Sequence, residues 1–416
     1  MDKDPPRCAK HSSDGGESHQ LLHLEGVHSA TFEVVLEKVR NLCILVMLIL
    51  SIDTSCDETS VAITENLRVL SNVISSQVEL HKKWGGVVPS IAKRAHQENL
   101  EPAIKEALSL AKVALKNLDV IAVTYGPGLA IALEVGIKKA KEISLEFKKP
   151  LIAVDHMEGH LLSSFAQDVN GNFGIKNPQF PALGLLVSGG HTELVLMKDF
   201  GNYELVGQTL DDAVGECFDK VAKLLGLGYP GGAIISKTAI GGNNGAFKLP
   251  VPMINSKDLN FSYSGLKTAS RTIIHGSSFN IQTDLKDFCT SFEKTIIESL
   301  LIKLVKAVKI YKPKMILLGG GVISSETIQS AILKEMSKFS LPVHIPYSKS
   351  LLTDNAAMVG VAAYFKAKEG DFIKKIDFLD RMPGLELGSF NVFASFSIDN
   401  NNVAFFDKKW NLENIS

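Results

Sequence analysis

Two histidines stand four residues apart in Asp155-His156-Met157-Glu158-Gly159-His160. On a helix, positions i and i+4 share one face, so both imidazoles would point at one place, as two ligands of one metal must. The zinc-protease spacing H-E-x-x-H is not met, because the glutamate falls at the third position. An isolated H-x-x-x-H is more often incidental than metal-binding, so a third ligand is needed. Asp354, in Leu352-Thr353-Asp354-Asn355 just before the Ala/Gly-rich stretch 356–363, is the candidate. Two histidines and one carboxylate leave positions open for substrate oxygens, a set suited to Fe(II) or Zn(II).

Three further stretches have the chemistry of a nucleotide site. In Ser188-Gly189-Gly190-His191 the paired glycines let backbone N–H groups approach an anion, although a Gly-Gly turn between strands is more often structural. A second turn, Asp53-Thr54-Ser55-Cys56-Asp57-Glu58-Thr59, carries hydroxyls and carboxylates where the first carries glycines, so facing turns would grip a phosphate from both sides. Asp57 and Glu58 read equally well as a solvated turn or as acid–base groups. The third stretch, Gly319-Gly320-Gly321-Val322, ends an apolar run and opens a helix near Ser324. There a flat base or ribose can lie against backbone, and the helix N-terminus favours polar or anionic groups. Neither this run nor Gly126-Pro127-Gly128 fits G-x-G-x-x-G, which disfavours a nicotinamide enzyme.

The elements that must position these residues alternate short apolar strands with longer amphipathic helices, the pattern of mixed or parallel sheets covered by helices. The plan occurs twice. Residues 47–64 read as two β-rich runs around the polar turn, and residues 181–197 repeat them around Ser188–Thr192. Each unit leads to a buried strand ending in glycine, at 119–128 and at 313–321. The expected fold is therefore α/β, two copies of one lobe meeting across a cleft. The second copy carries an insertion of about 210–290, of the kind that serves substrate recognition. The expected domains are an N-terminal extension 1–46, a first lobe 47–155, a second lobe 156–387 and a tail 388–416. Met47 directly precedes the first strand, so an incorrectly assigned start codon is part of this reading. The aromatics of the tail suit a small hairpin or packing on the body, without chemistry.

Composition restricts the function classes. A net charge of −1 over 416 residues gives no global basic field, so a nucleic-acid partner would be held by local patches or with another protein's help. Lys82, Lys83, Lys93 and Arg94 form one such local cluster, although solvated side chains are the preferred reading of it. The five cysteines are scattered and form no C-x-x-C pair, which fits a reducing cytoplasm. The longest apolar run, Leu42–Ile52, is about half the roughly twenty residues that a membrane helix needs and reads as a buried strand, so no membrane partner is expected.

Nine stretches in order, SIDTSCDETSVAI, GGVVPSIAKRAHQENLEPAIKEAL, GPGL, HMEGH, LLVSGGHTELV, DDAVGECFDKVAKLLGLGYPGG, FSYSGLKTA, LGGGV and TDNAAM, closely resemble the tRNA N6-adenosine threonylcarbamoyltransferase family of bacterial TsaD type. The resemblance covers about 47–387. It implies the actin, Hsp70 and sugar-kinase (RNase H-like) fold, and transfer of threonylcarbamoyl from L-threonylcarbamoyl-adenylate to N6 of adenosine 37 of tRNA, with release of AMP. It further implies one divalent metal, usually iron, on His156, His160 and Asp354. Substrate binding would fall to Leu186, Val187, Ser188, Gly189, Gly190, Asp219 and Gly232. Partners of TsaB and TsaE type and a separate synthase for the adenylate are implied too.

Two departures stand out. Ser325 occupies the place of a substrate-contacting asparagine, and Ala130-Ile131-Ala132-Leu133-Glu134 differs from the usual start of a helix used in partner docking. Asp57 and Glu58 are the candidate catalytic groups. The alternatives are an ATP-dependent kinase or ATPase of the same fold, and a non-catalytic partner subunit. Kinases hold Mg²⁺ with carboxylates and water rather than with a histidine pair, and retention of both histidines, Asp354 and Ser188–His191 argues against a decayed site.

Overall fold

The computed structural model describes residues 46–389. The extension up to residue 45, with Cys8 and Cys43, and the tail from residue 390 lie outside the described residues.

The first apolar run becomes β1 (Leu48–Asp53), which pairs antiparallel with β2 (Glu58–Glu65), Leu50 opposite Ile63. A third strand, β3 (Arg68–Ser76), continues the antiparallel edge. On its other side β1 runs parallel to β4 (Val120–Gly126), and β4 parallel to β5 (Leu151–Asp155), giving the order β3-β2-β1-β4-β5. The second sheet repeats this plan with β6 (Ala182–Val187), β7 (Thr192–Asp199), β8 (Asn202–Gln208), β9 (Met315–Gly319) and β10 (Val343–His344), ordered β10-β9-β6-β7-β8. Strand for strand the two orders match, so the duplication extends to the whole sheet. The sequence pattern marks only the hairpin and the glycine strand of each copy.

Helices cover the first sheet: α1 (Pro89–Ala111) packs on β2 and β3, and α2 (Ala130–Phe147) on β4. Burial of this kind is why β1 and β4 read as nearly continuous apolar runs rather than alternating ones. Leu50, Ile52, Val61, Ile63, Ile104, Ile121, Val123, Leu133 and Ile137 form this core. The helix after β5 is α3 (His156–Leu162).

The inserted stretch folds as α4 (Val214–Leu224), α5 (Gly231–Ala239) and α6 (Ser264–Ile274), and leads into the long α7 (Ile281–Tyr311). Their apolar faces, including Phe218, Val221, Ile235, Leu266, Phe288 and Phe292, join Leu183, Leu185 and Leu194 in the core of the second sheet. After β9 come α8 (Glu326–Ser337) and α9 (Ala356–Lys368).

Helix α9 returns to the first sheet, where it lies on β1, β2 and β5. The Ser51 hydroxyl donates to the Ala356 carbonyl across 2.6 Å, and the Ser60 hydroxyl accepts from the Ala356 N–H at 2.8 Å. The small residues of α9 permit this approach: a Cβ on Gly360 would lie 2.8 Å from the Thr64 side chain. Ile373, Leu379 and Leu385 then complete the first core. Cys56, Cys217 and Cys289 are free thiols, and no helix among the described residues is long and apolar enough to cross a membrane.

Candidate metal and nucleotide site

Strand β5 ends at Asp155, whose carboxylate caps α3 by accepting from Met157 N–H at 2.7 Å and Glu158 N–H at 3.3 Å. That cap fixes where the helix begins, and with it the face shared by His156 and His160. Gly159 on α3 lies against Met358 of α9, leaving room for a side chain only at a tight 3.1 Å. Asn355 caps α9 by accepting from Met358 N–H at 3.0 Å, so Asp354 stands immediately before the helix and turns to α3. Oδ1 of Asp354 lies 3.4 Å from His156 Nε2 and 3.2 Å from His160 Nε2. The three donor atoms lie within 4.8 Å of one another, as ligands of one ion must.

Two residues of the turn expected to face a phosphate, Asp53 and Ser55, instead orient this set. The other ring nitrogen of His156, Nδ1, lies 3.3 Å from Asp53 Oδ2 and 3.1 Å from Ser55 Oγ, which directs Nε2 towards Asp354. Asp53 ends β1 and Asp155 ends β5, one strand apart at the carboxyl edge of the sheet, where ligands of open α/β sheets bind. That convergence was the available signal, but it needs the strand order. His160 Nδ1 is buried without a partner among the described residues.

Burial works against charge on His156, yet Asp354 and Asp53 outweigh it and hold its pKa well above the ordinary value. For His160 burial prevails, aided by the charge of His156, and its pKa falls. Burial alone would raise Asp354, but the two histidines hold it well below the carboxylate range. Burial and the two neighbouring histidines push His191 down to about 4, so it is neutral at neutral pH.

The turn 188–191 is closed by Ser188 N–H donating to the His191 carbonyl at 2.9 Å and by His191 N–H donating to Ser188 Oγ at 3.2 Å, with Gly189 and Gly190 exposed. It rests on the start of α4, where Glu216 N–H donates to the Gly189 carbonyl at 3.0 Å. Leu186 and Val187 have fully buried side chains in β6 and can offer a ligand only backbone. Gly320, at φ 95°, packs against the Val187 carbonyl so closely that a Cβ there would sit 2.3 Å from it. The glycine strand end and the serine–glycine turn are therefore neighbours.

On the turn between β1 and β2, Asp57 accepts from the Tyr229 hydroxyl at 3.3 Å. Burial, then the charges of Asp354 and Asp57, raise Glu58 well above its ordinary value. Asp219 accepts from Gly231 N–H at 2.6 Å, just before Gly232 in the first turn of α5, and burial followed by the Asp57 charge raises it to about 6. Ser325 caps α8, accepting from Ile328 N–H at 3.5 Å. Of the basic cluster, Lys82, Lys93 and Arg94 are paired with Glu79, Glu134 and Glu98 at 3.4, 3.2 and 2.8 Å, and Lys83 lies over the Trp84 ring. It is not an open basic patch. A groove of about 380 Å³ between α1 and α2, lined by Lys93, Leu100, Glu134 and Lys138 among others, shares no residue with the histidine site.

A family model described as tRNA N6-adenosine threonylcarbamoyltransferase matches residues 68–361. Curated relatives carrying that description include one from Clostridium perfringens strain SM101, 43% identical over 343 residues that make up 82% of this chain and 98% of the relative. Another, from Thermosipho africanus, is 44% identical over 344 residues, 82% of this chain and all of the relative. Among solved structures, full-length HypF in a phosphate- and nucleotide-bound form is similar with a TM-score of 0.51 at 13% identity, covering 78% of this chain and 46% of that one. That likeness extends to the fold alone.

Proposed function

Because the chain belongs to the tRNA N6-adenosine threonylcarbamoyltransferase family, we propose that it takes the group from L-threonylcarbamoyl-adenylate, delivers it to adenosine 37 of tRNA and releases AMP. Threonylcarbamoyl transfer to tRNA is the activity of the family and of this chain; the donor and the position are the finer reading. The observation that carries it is the meeting of His156, His160 and Asp354 beside the Ser188–His191 turn.

The donor set fits one divalent metal, iron in preference to zinc, and such an ion would supply Lewis-acid stabilisation of substrate oxygens. The remaining work belongs to the chain's own residues. The exocyclic amine of adenine is a poor nucleophile, since its lone pair is delocalised into the ring, so positioning and charge stabilisation must carry the rate. Asp53 and Ser55 hold His156 in register. The exposed Gly189 and Gly190 backbone meets the leaving phosphate, Leu186 and Val187 contribute backbone, and Asp219, Gly232 and Ser325 line the adenylate. Asp57 and Glu58 are the proposed proton acceptors.

We assign the lobes to 47–155 and 156–387, with 356–387 covering the first sheet, and residues 1–46 and 388–416 to an extension and a tail. A TsaB-type partner would dock on α1 and α2, where Glu134, one of the departures from the family pattern, pairs with Lys93. A TsaE-type protein and an adenylate-forming synthase complete the system, in the reducing cytoplasm that the free thiols fit.

The test is transfer of labelled threonylcarbamoyl from the adenylate to tRNA by purified protein of known metal content, with partners present. Modified tRNA supports the reading. Phosphorylation of a small substrate from ATP without tRNA modification would replace it with the kinase alternative, which family membership disfavours.

A further inference from the structure

The Ser325 side chain does more than cap α8. Its hydroxyl donates to Oε1 of Glu293 across 3.3 Å, and the Ser236 hydroxyl donates to the same oxygen at 2.5 Å. Glu293, on α7, is 4% exposed. Three elements thus converge on one carboxylate: α5, with Ser236 one turn beyond Gly232; α7; and the start of α8. No lysine, arginine or histidine among the described residues pairs with Glu293, and its Oε2 accepts no hydrogen bond from any of them.

A buried carboxylate without a cation is costly unless its oxygens are fully hydrogen-bonded. Two serines satisfy Oε1, and Oε2 is left with acceptor capacity. A carboxylate can only accept, and it repels phosphate, so what it suits is a neutral donor. The nucleoside half of an adenylate offers two kinds, the ribose hydroxyls and the adenine amine. Ser325, which bonds the carboxylate, is one of the residues proposed above to line that ligand, and Ser236, which bonds the same oxygen, lies one helical turn beyond another, Gly232.

We propose that Glu293, oriented by Ser236 and Ser325, is a specificity-determining residue that accepts a hydrogen bond through Oε2 from a donor on the nucleoside of the bound adenylate. The inference rests on the adenylate-binding reading of the cleft.

Calorimetric binding of AMP, 2′-deoxy-AMP, 3′-deoxy-AMP and IMP to wild type and Glu293→Gln tests it. Wild type should bind AMP about tenfold or more tighter than whichever analogue lacks the donor, the size of a hydrogen bond to a charged group. In Glu293→Gln both serine hydroxyls donate to the amide oxygen, so the NH₂ group faces the ligand and an acceptor becomes a donor. If the ribose is read, discrimination against one deoxy analogue disappears. If the amine is read, IMP gains on AMP, because inosine carries a carbonyl in place of the amine. Unchanged affinities in Glu293→Gln would overturn the proposal. So would a wild type that binds all four ligands alike, a result independent of how the variant folds. A wild type that binds no AMP would refute the adenylate reading itself, and is thereby distinguished from failure of Glu293 alone.

Discussion

His160 hydrogen-bonds Asp354 through Nε2, meets the His156 ring edge-on and makes no other side-chain hydrogen bond among the described residues, so its removal takes away a proposed ligand without breaking a wider hydrogen-bond network. His160→Ala is expected to give folded protein with reduced metal content, and transfer reduced at least as much as the 10–100-fold typical of losing a supporting residue. Metal analysis alongside the tRNA assay checks this, and full transfer by metal-free protein would remove the metal from the mechanism. Cys217 is the matching control. Burial pushes its thiol up to about 12, so it supplies no thiolate, and Cys217→Ala should keep its transfer rate. Asp219 makes a pH prediction. Its pKa of about 6 in the folded protein lies above the ordinary carboxylate value, so below about pH 4 both folded and unfolded chains hold the proton and it costs nothing. As pH rises towards 6 the unfolded chain ionises first, and stability is lost. Asp219→Asn keeps an oxygen for Gly231 N–H and should gain about 1–3 kcal/mol at pH 7 and nothing at pH 4, while adenylate affinity falls. Denaturant melts at the two pH values decide it; an equal gain at both would rule out titration as the cause.

At the scale of elements, the His156–His160–Asp354 cluster exists because α3 and α9 pack closely enough for a residue before one helix to face a pair on the other. Gly360 sets the depth of α9 against β1 and β2. A methyl there must displace Thr64 or Ser51, so Gly360→Ala should cost about 1–3 kcal/mol through overpacking and weaken metal retention by shifting Asp354. A lower melting temperature with undiminished metal content would show that Asp354 is held independently of the helix. The start of α8 behaves differently. Serine and asparagine cap helices about equally well, and the asparagine NH₂ can donate to Glu293 in place of the serine hydroxyl, so Ser325→Asn should leave stability unchanged. Asparagine reaches further, and AMP affinity should be equal or tighter by roughly 1 kcal/mol, one net hydrogen bond. Marked weakening in calorimetry would mean that the turn faces elsewhere.

Across the whole molecule, the relatives align with 82% of this chain while 98–100% of their own length is covered, and β1 opens at Leu48. A chain beginning at Met47 is therefore expected to fold and transfer at the full rate, and loss of soluble expression or of activity would give residues 1–46 a role. Much of the molecule was legible before its structure. The two hairpins, their polar turns and the two glycine strands are local patterns of apolar run and turn residue, and such patterns are fixed by near neighbours in the chain. His156 and His160 were legible for the same reason, since a helix alone puts i and i+4 on one face. Asp354 was reached as the candidate third ligand and through the family resemblance, but the pairings of Asp53 and Ser55 with His156, of Tyr229 with Asp57 and of Glu293 with Ser325 were not legible. Each joins residues far apart in the chain, and their distances depend on strand order and on how deeply one helix beds against another. The return of α9 to the first sheet was hidden likewise, because an Ala/Gly-rich helix is apolar all round and does not announce which surface it will cover. The sequence by itself thus determined the kinds of groups and their local faces, whereas only tertiary packing decided which of them share a site, because contact across the chain is set by the burial of whole sheets and helices.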